Sequence, residues 1–349
     1  MKTTFISTSS ISAATRQALL KVQQELADAQ KEMTTSRLAD VGKTLGYRTG
    51  ETISLRQEHA RLTTIIETNS TVSSRLTASQ TTLQNLVDNA QDFSEQLLGL
   101  RIGGTNALGA ETEAQSRLEG FLDLMNMSFA SGYLFAGVNS DVKPLTDYFE
   151  TPTPASRQGV ANAFLADFGI TQSDPAVSNI SAADMQTFLD TTFANLFDDP
   201  SWSTDWSSAS TQNMRSRIST SELIETSTNA NESAFRKLAM AYTMVADLGT
   251  ANLGQPAFEV VIDQATKVVN EAIQELGDLQ SKLGISEQRV KDASERMSLQ
   301  IDIMTKQVTS LEGVDPNEAA TRVSTLLTQI ETSYALTARI MGLSILNYL

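Results

Sequence analysis

LTTIIETNSTVSSRLTASQTTLQNLVDNAQDFSEQLLGL, residues 62–100, decides the fold. Leu62, Ile65, Asn69, Val72, Leu76, Ser79, Leu83, Leu86, Ala90, Phe93, Leu97 and Leu100 follow one another in alternating steps of three and four. Ten of these twelve positions are apolar. Such spacing lays a narrow stripe along one side of a helix, as in a bundle or coiled-coil seam. An unbroken helix of about 40 residues is about 60 Å long, more than a compact domain needs. Asn69 and Ser79 are polar positions in the seam, and either fix its register or are tolerated at its edge.

Further stripes lie on both sides of this run. Before it, Leu19, Val22, Leu26, Ala29 and Met33 repeat the spacing, in a helix expected from about Thr15 until Gly42, Gly46 and Gly50 interrupt it. Residues 1–15 hold eight Ser or Thr, a composition that predicts disorder in a free monomer. After the seam, Gly103-Gly104 predicts a break, and a helix is expected over about Asn106–Ser131. Later helices are expected over Glu232–Leu248 and from Pro256 to Gly284, with a stripe at Val290, Ala293, Met297, Ile301, Met304, Val308 and Leu311.

Asp315-Pro316 then reads as an N-cap with proline in the first helical position. The last helix carries Val323, Leu327, Ile330, Tyr334, Met341, Ile345 and Tyr348. This stripe must pack on the N-terminal helix, on a partner, or on copies of itself.

The middle differs. Residues 141–230 hold five of the seven Pro, both Trp and a net charge of -8. They predict a small acidic domain with an aromatic core; Asp198-Asp199-Pro200-Ser201 reads as a turn and Arg217–Glu225 as a strand. The expected fold is therefore mainly α. A long antiparallel helical bundle or coiled-coil rod is built from both chain ends, with a small central α+β insert. The expected division is 1–45 with 312–349 as terminal assembly helices, ordered only on assembly; 46–140 with 231–311 as the rod; and 141–230 as the insert.

Composition narrows the function. The 349 residues carry a formal net charge of -15, which argues against nucleic acid or an anionic membrane as partner. There is no Cys, which removes disulfides, thiolate metal sites and a cysteine nucleophile. Met1–Ile6 does not begin the apolar run of a secretory signal peptide, and no apolar run reaches the length of a membrane helix. His59, the only His, lies in the charged segment RQEHAR and reads as a solvated surface residue. Neither Gly103-Gly104 nor Gly132–Gly137 has the spacing of a phosphate-binding loop. Asp198-Asp199 and the pair Asp141 and Asp147 read as solvated turns rather than a calcium site. Trp202 and Trp206 read as packing residues rather than a stacking platform. No cofactor, metal or catalytic residue is expected.

Three segments carry a resemblance. Gly132-Tyr133-Leu134-Phe135-Ala136-Gly137 forms an aromatic-glycine turn, with Tyr133, Phe135 and Gly137 as its marked positions. Gly313-Val314-Asp315-Pro316-Asn317-Glu318-Ala319 forms an acidic cap before the last helix. The chain finishes Leu343-Ser344-Ile345-Leu346-Asn347-Tyr348-Leu349. With Gln30–Arg37 and Ser54-Leu55-Arg56-Gln57, these resemble the flagellin superfamily, and within it the junction branch, the hook-associated protein 3 family. One departure is Leu38-Ala39-Asp40-Val41-Gly42, which lacks the usual acidic cluster.

The resemblance implies a non-enzymatic structural subunit, exported unfolded through the type III channel with a cytoplasmic chaperone masking its C-terminal stripe. Secreted to the growing tip, it would form a ring of copies at the hook–filament junction, between hook-associated protein 1 and flagellin. It implies assembly roles for the two terminal stripes. A filament flagellin, and a cytoplasmic coiled-coil interaction protein, are the alternative readings.

Overall fold

The computed structural model describes residues 8–103 and 107–342. In chain order these form α1 (Thr8–Thr35), α2 (Val41–Leu45), α3 (Thr49–Gly103), α4 (Ala107–Met125), a hairpin of β1 (Ser128–Phe129) and β2 (Gly132–Tyr133), α5 (Ala155–Phe168) and α6 (Ala182–Phe188). A second hairpin of β3 (Arg215–Arg217) and β4 (Leu223–Glu225) follows, then α7 (Ser233–Asp247), α8 (Gln255–Glu312) and α9 (Pro316–Gly342). The fold is mainly α, as the stripes predict. The C-terminal segment Leu343–Leu349, with Ile345 and Tyr348, lies outside the described residues, as does the side chain of Met341.

The chain divides into two compact units. One comprises residues 1–64 and 297–349, the other Ile65–Arg296. Each contains segments from both halves of the sequence.

In the unit Ile65–Arg296, α3 and α8 run antiparallel. Thr77 bonds Glu287 at 3.1 Å, Gln80 donates to the Gln280 carbonyl at 2.8 Å, Ser94 bonds Asn270 at 3.1 Å and Arg101 bonds Asp263 at 2.9 Å. The predicted seam faces inward: Leu76, Ser79, Leu83, Leu86, Ala90, Phe93 and Leu97 are all buried. Asn69 is a tie rather than an edge residue. It is buried and donates to the Ile218 carbonyl at 2.9 Å and to Ser294 at 3.0 Å. These two acceptors satisfy the Asn69 amide nitrogen, while its side-chain oxygen is buried without a partner, a cost that the two donated bonds offset only in part.

Helices α4 and α7 pack together beside this pair. Phe93, Phe121 and Tyr242 meet there at ring-centroid distances of 5.0 and 6.0 Å, and burial pushes the Tyr242 hydroxyl well above its ordinary range.

Three expectations change. Helix α8 does not stop at Gly284 but continues to Glu312. Two glycines in a helix interior cost about 1 kcal/mol each relative to Ala, but the adjoining Leu276, Leu279 and Leu283 are buried, and their burial outweighs that cost. Helix α4 ends at Met125 rather than Ser131, because Ser128–Phe129 pairs with Gly132–Tyr133 across Ala130 at φ 55°. The expected strand over Arg217–Glu225 is a hairpin, with Arg215 opposite Glu225 and Arg217 opposite Leu223.

The insert 141–230 is organised by aromatic contacts. Tyr148 stacks on Trp206 at 5.2 Å and Trp206 on Trp202 at 5.6 Å; Phe197, Phe193, Phe188 and Phe164 continue the chain of rings. Both Trp are buried, and the Trp202 indole donates to Asn231 at 3.0 Å, so they are core residues and not a ligand platform.

Candidate assembly surface and the terminal-helix clasp

In the unit of residues 1–64 and 297–349, α1 and α9 pack antiparallel. Two polar contacts fix the direction: Gln23 donates to the Tyr334 hydroxyl at 3.1 Å, and Arg322 pairs with Glu32 at 2.8 Å. Helix α1 begins at Thr8, earlier than the Thr15 expected.

The predicted stripe of α1 turns toward α9 only in part. Leu19, Val22 and Leu26 are half-buried and Ala29 is buried, whereas Met33 is exposed. Glu32 takes the inner place beside Met33 and also accepts from the Ala39 amide at 3.2 Å. On α9, Val323 and Ile330 are half-buried. At the Leu326-Leu327 pair the inner residue is Leu326, 6% exposed, while Leu327 is 44% exposed. Tyr334 is 53% exposed, and Leu20 and Leu336 are also exposed. The helix pair thus buries one row of side chains and leaves large apolar side chains uncovered. Contiguous apolar surface of this kind, where it forms a patch, marks a contact site.

The segment that joins these helices to the rest of the unit is held by one carboxylate. The side chain of Glu312 is 2% exposed and sits between Arg37 and Arg56. Arg56 binds it with two nitrogens, Nε at 3.0 Å from Oε1 and Nη2 against Oε2, while Arg37 Nη2 contacts the same Oε2. Backbone bonds reinforce the clasp: the Leu38 amide donates to the Glu312 carbonyl at 2.8 Å and the Val314 amide to the Ser36 carbonyl at 3.0 Å. Gly313 is required here by closeness, since a Cβ at this position would meet the Thr309 carbonyl oxygen at 2.4 Å. Asp315 then caps α9, accepting from the Asn317 amide at 2.8 Å, as the sequence predicts.

The clasp therefore joins three of the recognised segments, through Arg37 and Arg56 from the N-terminal side and Gly313 from the C-terminal side, with Glu312 immediately before the last. Sequence reasoning missed Glu312. A Glu at a helix end is ordinarily a solvated residue, and nothing in its spacing shows that two arginines more than 250 positions away converge on it. His59 departs from its expected setting: it is half-buried and lines a cleft of about 410 Å³ with Arg37, Arg56 and Glu312.

The aromatic-glycine turn lies in the other unit. The Tyr133 carbonyl accepts from Arg75 at 2.6 Å, Phe135 is buried against Phe235 at 5.5 Å, and the Phe135 carbonyl accepts from the Ala230 amide at 2.8 Å. Gly137 has φ 63°, and a Cβ there would meet the Ser210 carbonyl oxygen at 2.5 Å. This turn stitches the start of the insert to its end, and its conformation admits only glycine without strain. Asp199, expected in a solvated turn, accepts from Arg236 at 2.8 Å, a bond that lowers its carboxyl below the ordinary range. Among the described residues no helix is long and apolar enough to cross a membrane.

Comparison with known proteins adds two findings. Residues 6–140 match the bacterial flagellin N-terminal helical region, and residues 266–349 match the bacterial flagellin C-terminal helical region, together well over half the chain. A solved structure of a candidate flagellar hook-associated protein from Vibrio parahaemolyticus aligns with a TM-score of 0.53 at 9% identity, covering 76% of this chain and 97% of that one. At that identity the likeness concerns the fold alone. No curated protein matches the chain significantly.

Proposed function

Because the chain belongs to the flagellin family, a family of flagellar structural subunits, we propose that it serves at the hook–filament junction and acts by assembly rather than catalysis. The observation that carries the assembly reading is the apolar surface left uncovered on α1 and α9, at Leu20, Met33, Leu327, Tyr334 and Leu336. Copies of the chain in a ring cover it, with hook-associated protein 1 on one side and flagellin on the other. The junction assignment is supported by the resemblance of residues 343–349 to the endings of hook-associated proteins.

In this reading the chain leaves the cell unfolded through the type III export channel. An export chaperone masks the C-terminal stripe, and the terminal helices, residues 1–45 and 312–349, acquire their final order at the tip. Burial deferred until assembly is how such a segment stays exportable and then becomes locked in place.

Immunogold electron microscopy with antibody to residues 141–230 tests this. A single band between hook and filament is expected. Label along the whole filament would replace the junction reading with a filament flagellin. Absence of label from flagella that bind a control antibody would overturn both.

A further inference from the structure

The Glu312 clasp leaves positive charge unspent. Two guanidiniums face one carboxylate, so the cleft has a surplus of one positive charge, in a chain whose net charge is -15. Arg37 and Arg56 keep half their side-chain surface exposed, 50% and 44%, although both contact a buried group. Among the described residues, Arg37 uses only Nη2 in side-chain hydrogen bonding and Arg56 only Nε and Nη2. Both arginines line the cleft, whose wall also includes His59, Thr305 and Val308. Nearby Glu58 does not neutralise this surplus, because it pairs with Arg61 at 3.5 Å.

We propose that this cleft is a socket for an acidic side chain of a second copy of the chain. A guanidinium that already binds one carboxylate retains donors in a fixed plane, and a second carboxylate meets them with charge-assisted bonds. A second copy is the occupant that the charge favours. The surface of this chain is strongly acidic, and the assembly reading on which this proposal rests makes copies its neighbours. The socket would make assembly depend on ionic strength, and it would tie subunit contact to the same carboxylate that holds α9 in place.

Thr305 allows a test that leaves the clasp intact, since it is exposed and bonds only its own helix, at the Ile301 carbonyl. Thr305→Glu places a competing carboxylate at the socket. Flagella from cells producing this variant should carry at least tenfold fewer copies than wild type, with unchanged hydrogen exchange in α9 of the purified protein, which reports the clasp directly. Thr305→Lys gives the complementary test. Carbodiimide treatment of assembled flagella should join the introduced amine to an Asp or Glu of another copy, identified by mass spectrometry. Wild-type incorporation of Thr305→Glu, or coupling of the introduced amine only within its own chain, would overturn the socket while leaving the assembly reading in place. Absence of the wild-type protein from flagella would overturn both.

Discussion

Leu83 and Leu327 belong to stripes of the same spacing, yet Leu83 is fully buried and Leu327 is 44% exposed. The seam of α3 is covered by α8 and by the helices packed beside them within one unit, so its burial is complete in the single chain. The pair α1 and α9 has only two helices, and two helices bury one face each. A repeat of three and four shows where a stripe lies but not how many neighbours the chain supplies to cover it. One region is finished by folding, and the other is left for assembly to finish.

The largest expected effect lies in the finished region. Leu76→Asp puts an unpaired carboxylate at a fully buried position and should cost about 5 kcal/mol. Both Trp lie in the same unit, so urea unfolding followed by tryptophan fluorescence reads this loss directly; an unchanged midpoint would remove Leu76 from the core. Next is the clasp. Replacing both Arg37 and Arg56 by Ala strands buried Glu312 and should cost about 3–5 kcal/mol. Glu312→Ala should cost less, about 2 kcal/mol, since two half-exposed guanidiniums rehydrate. Hydrogen exchange in α9 is the readout, and equal losses for the two changes would show that Glu312 is not the buried partner.

A smaller effect concerns pH. Burial raises the Asp247 carboxyl above its ordinary value, against the opposing pull of the Tyr148 hydroxyl at 2.8 Å and of Arg157. The folded state therefore holds this proton more tightly than the unfolded chain. Stability relative to Asp247→Asn should rise as pH falls through the raised folded value and level off below the ordinary Asp range. A difference that shrinks with falling pH would reverse the sign. The smallest effect on the monomer belongs to Leu327→Ala, within about 0.5 kcal/mol, against about 2 kcal/mol for its buried neighbour Leu326→Ala. Yet Leu327→Ala should be the more damaging of the two to incorporation per unit of stability lost.

Much of this contrast was legible in the sequence. The seam from Leu62 to Leu100, the Asp315 cap and the aromatic core of 141–230 were readable because periodicity, capping and composition are local. The rest depends on distant partners. Which member of Leu326-Leu327 faces inward is set by α1, since a period of 3.6 permits either. The passage of α8 through Gly284 depends on buried neighbours that outweigh a local preference for a break. Glu312 gave no signal, because its two arginines are brought to it only by the fold. At Asn69 the sequence left two readings open, and the Ile218 carbonyl and Ser294 chose between them.

Amide hydrogen exchange, comparing free monomer with assembled flagella, tests the division most directly. Strong new protection across α1 and α9 on assembly, with little change over Leu76–Leu97, is the predicted result. Equal protection of α1 and α9 in the two states would contradict it, because the terminal pair would then be complete without its neighbours.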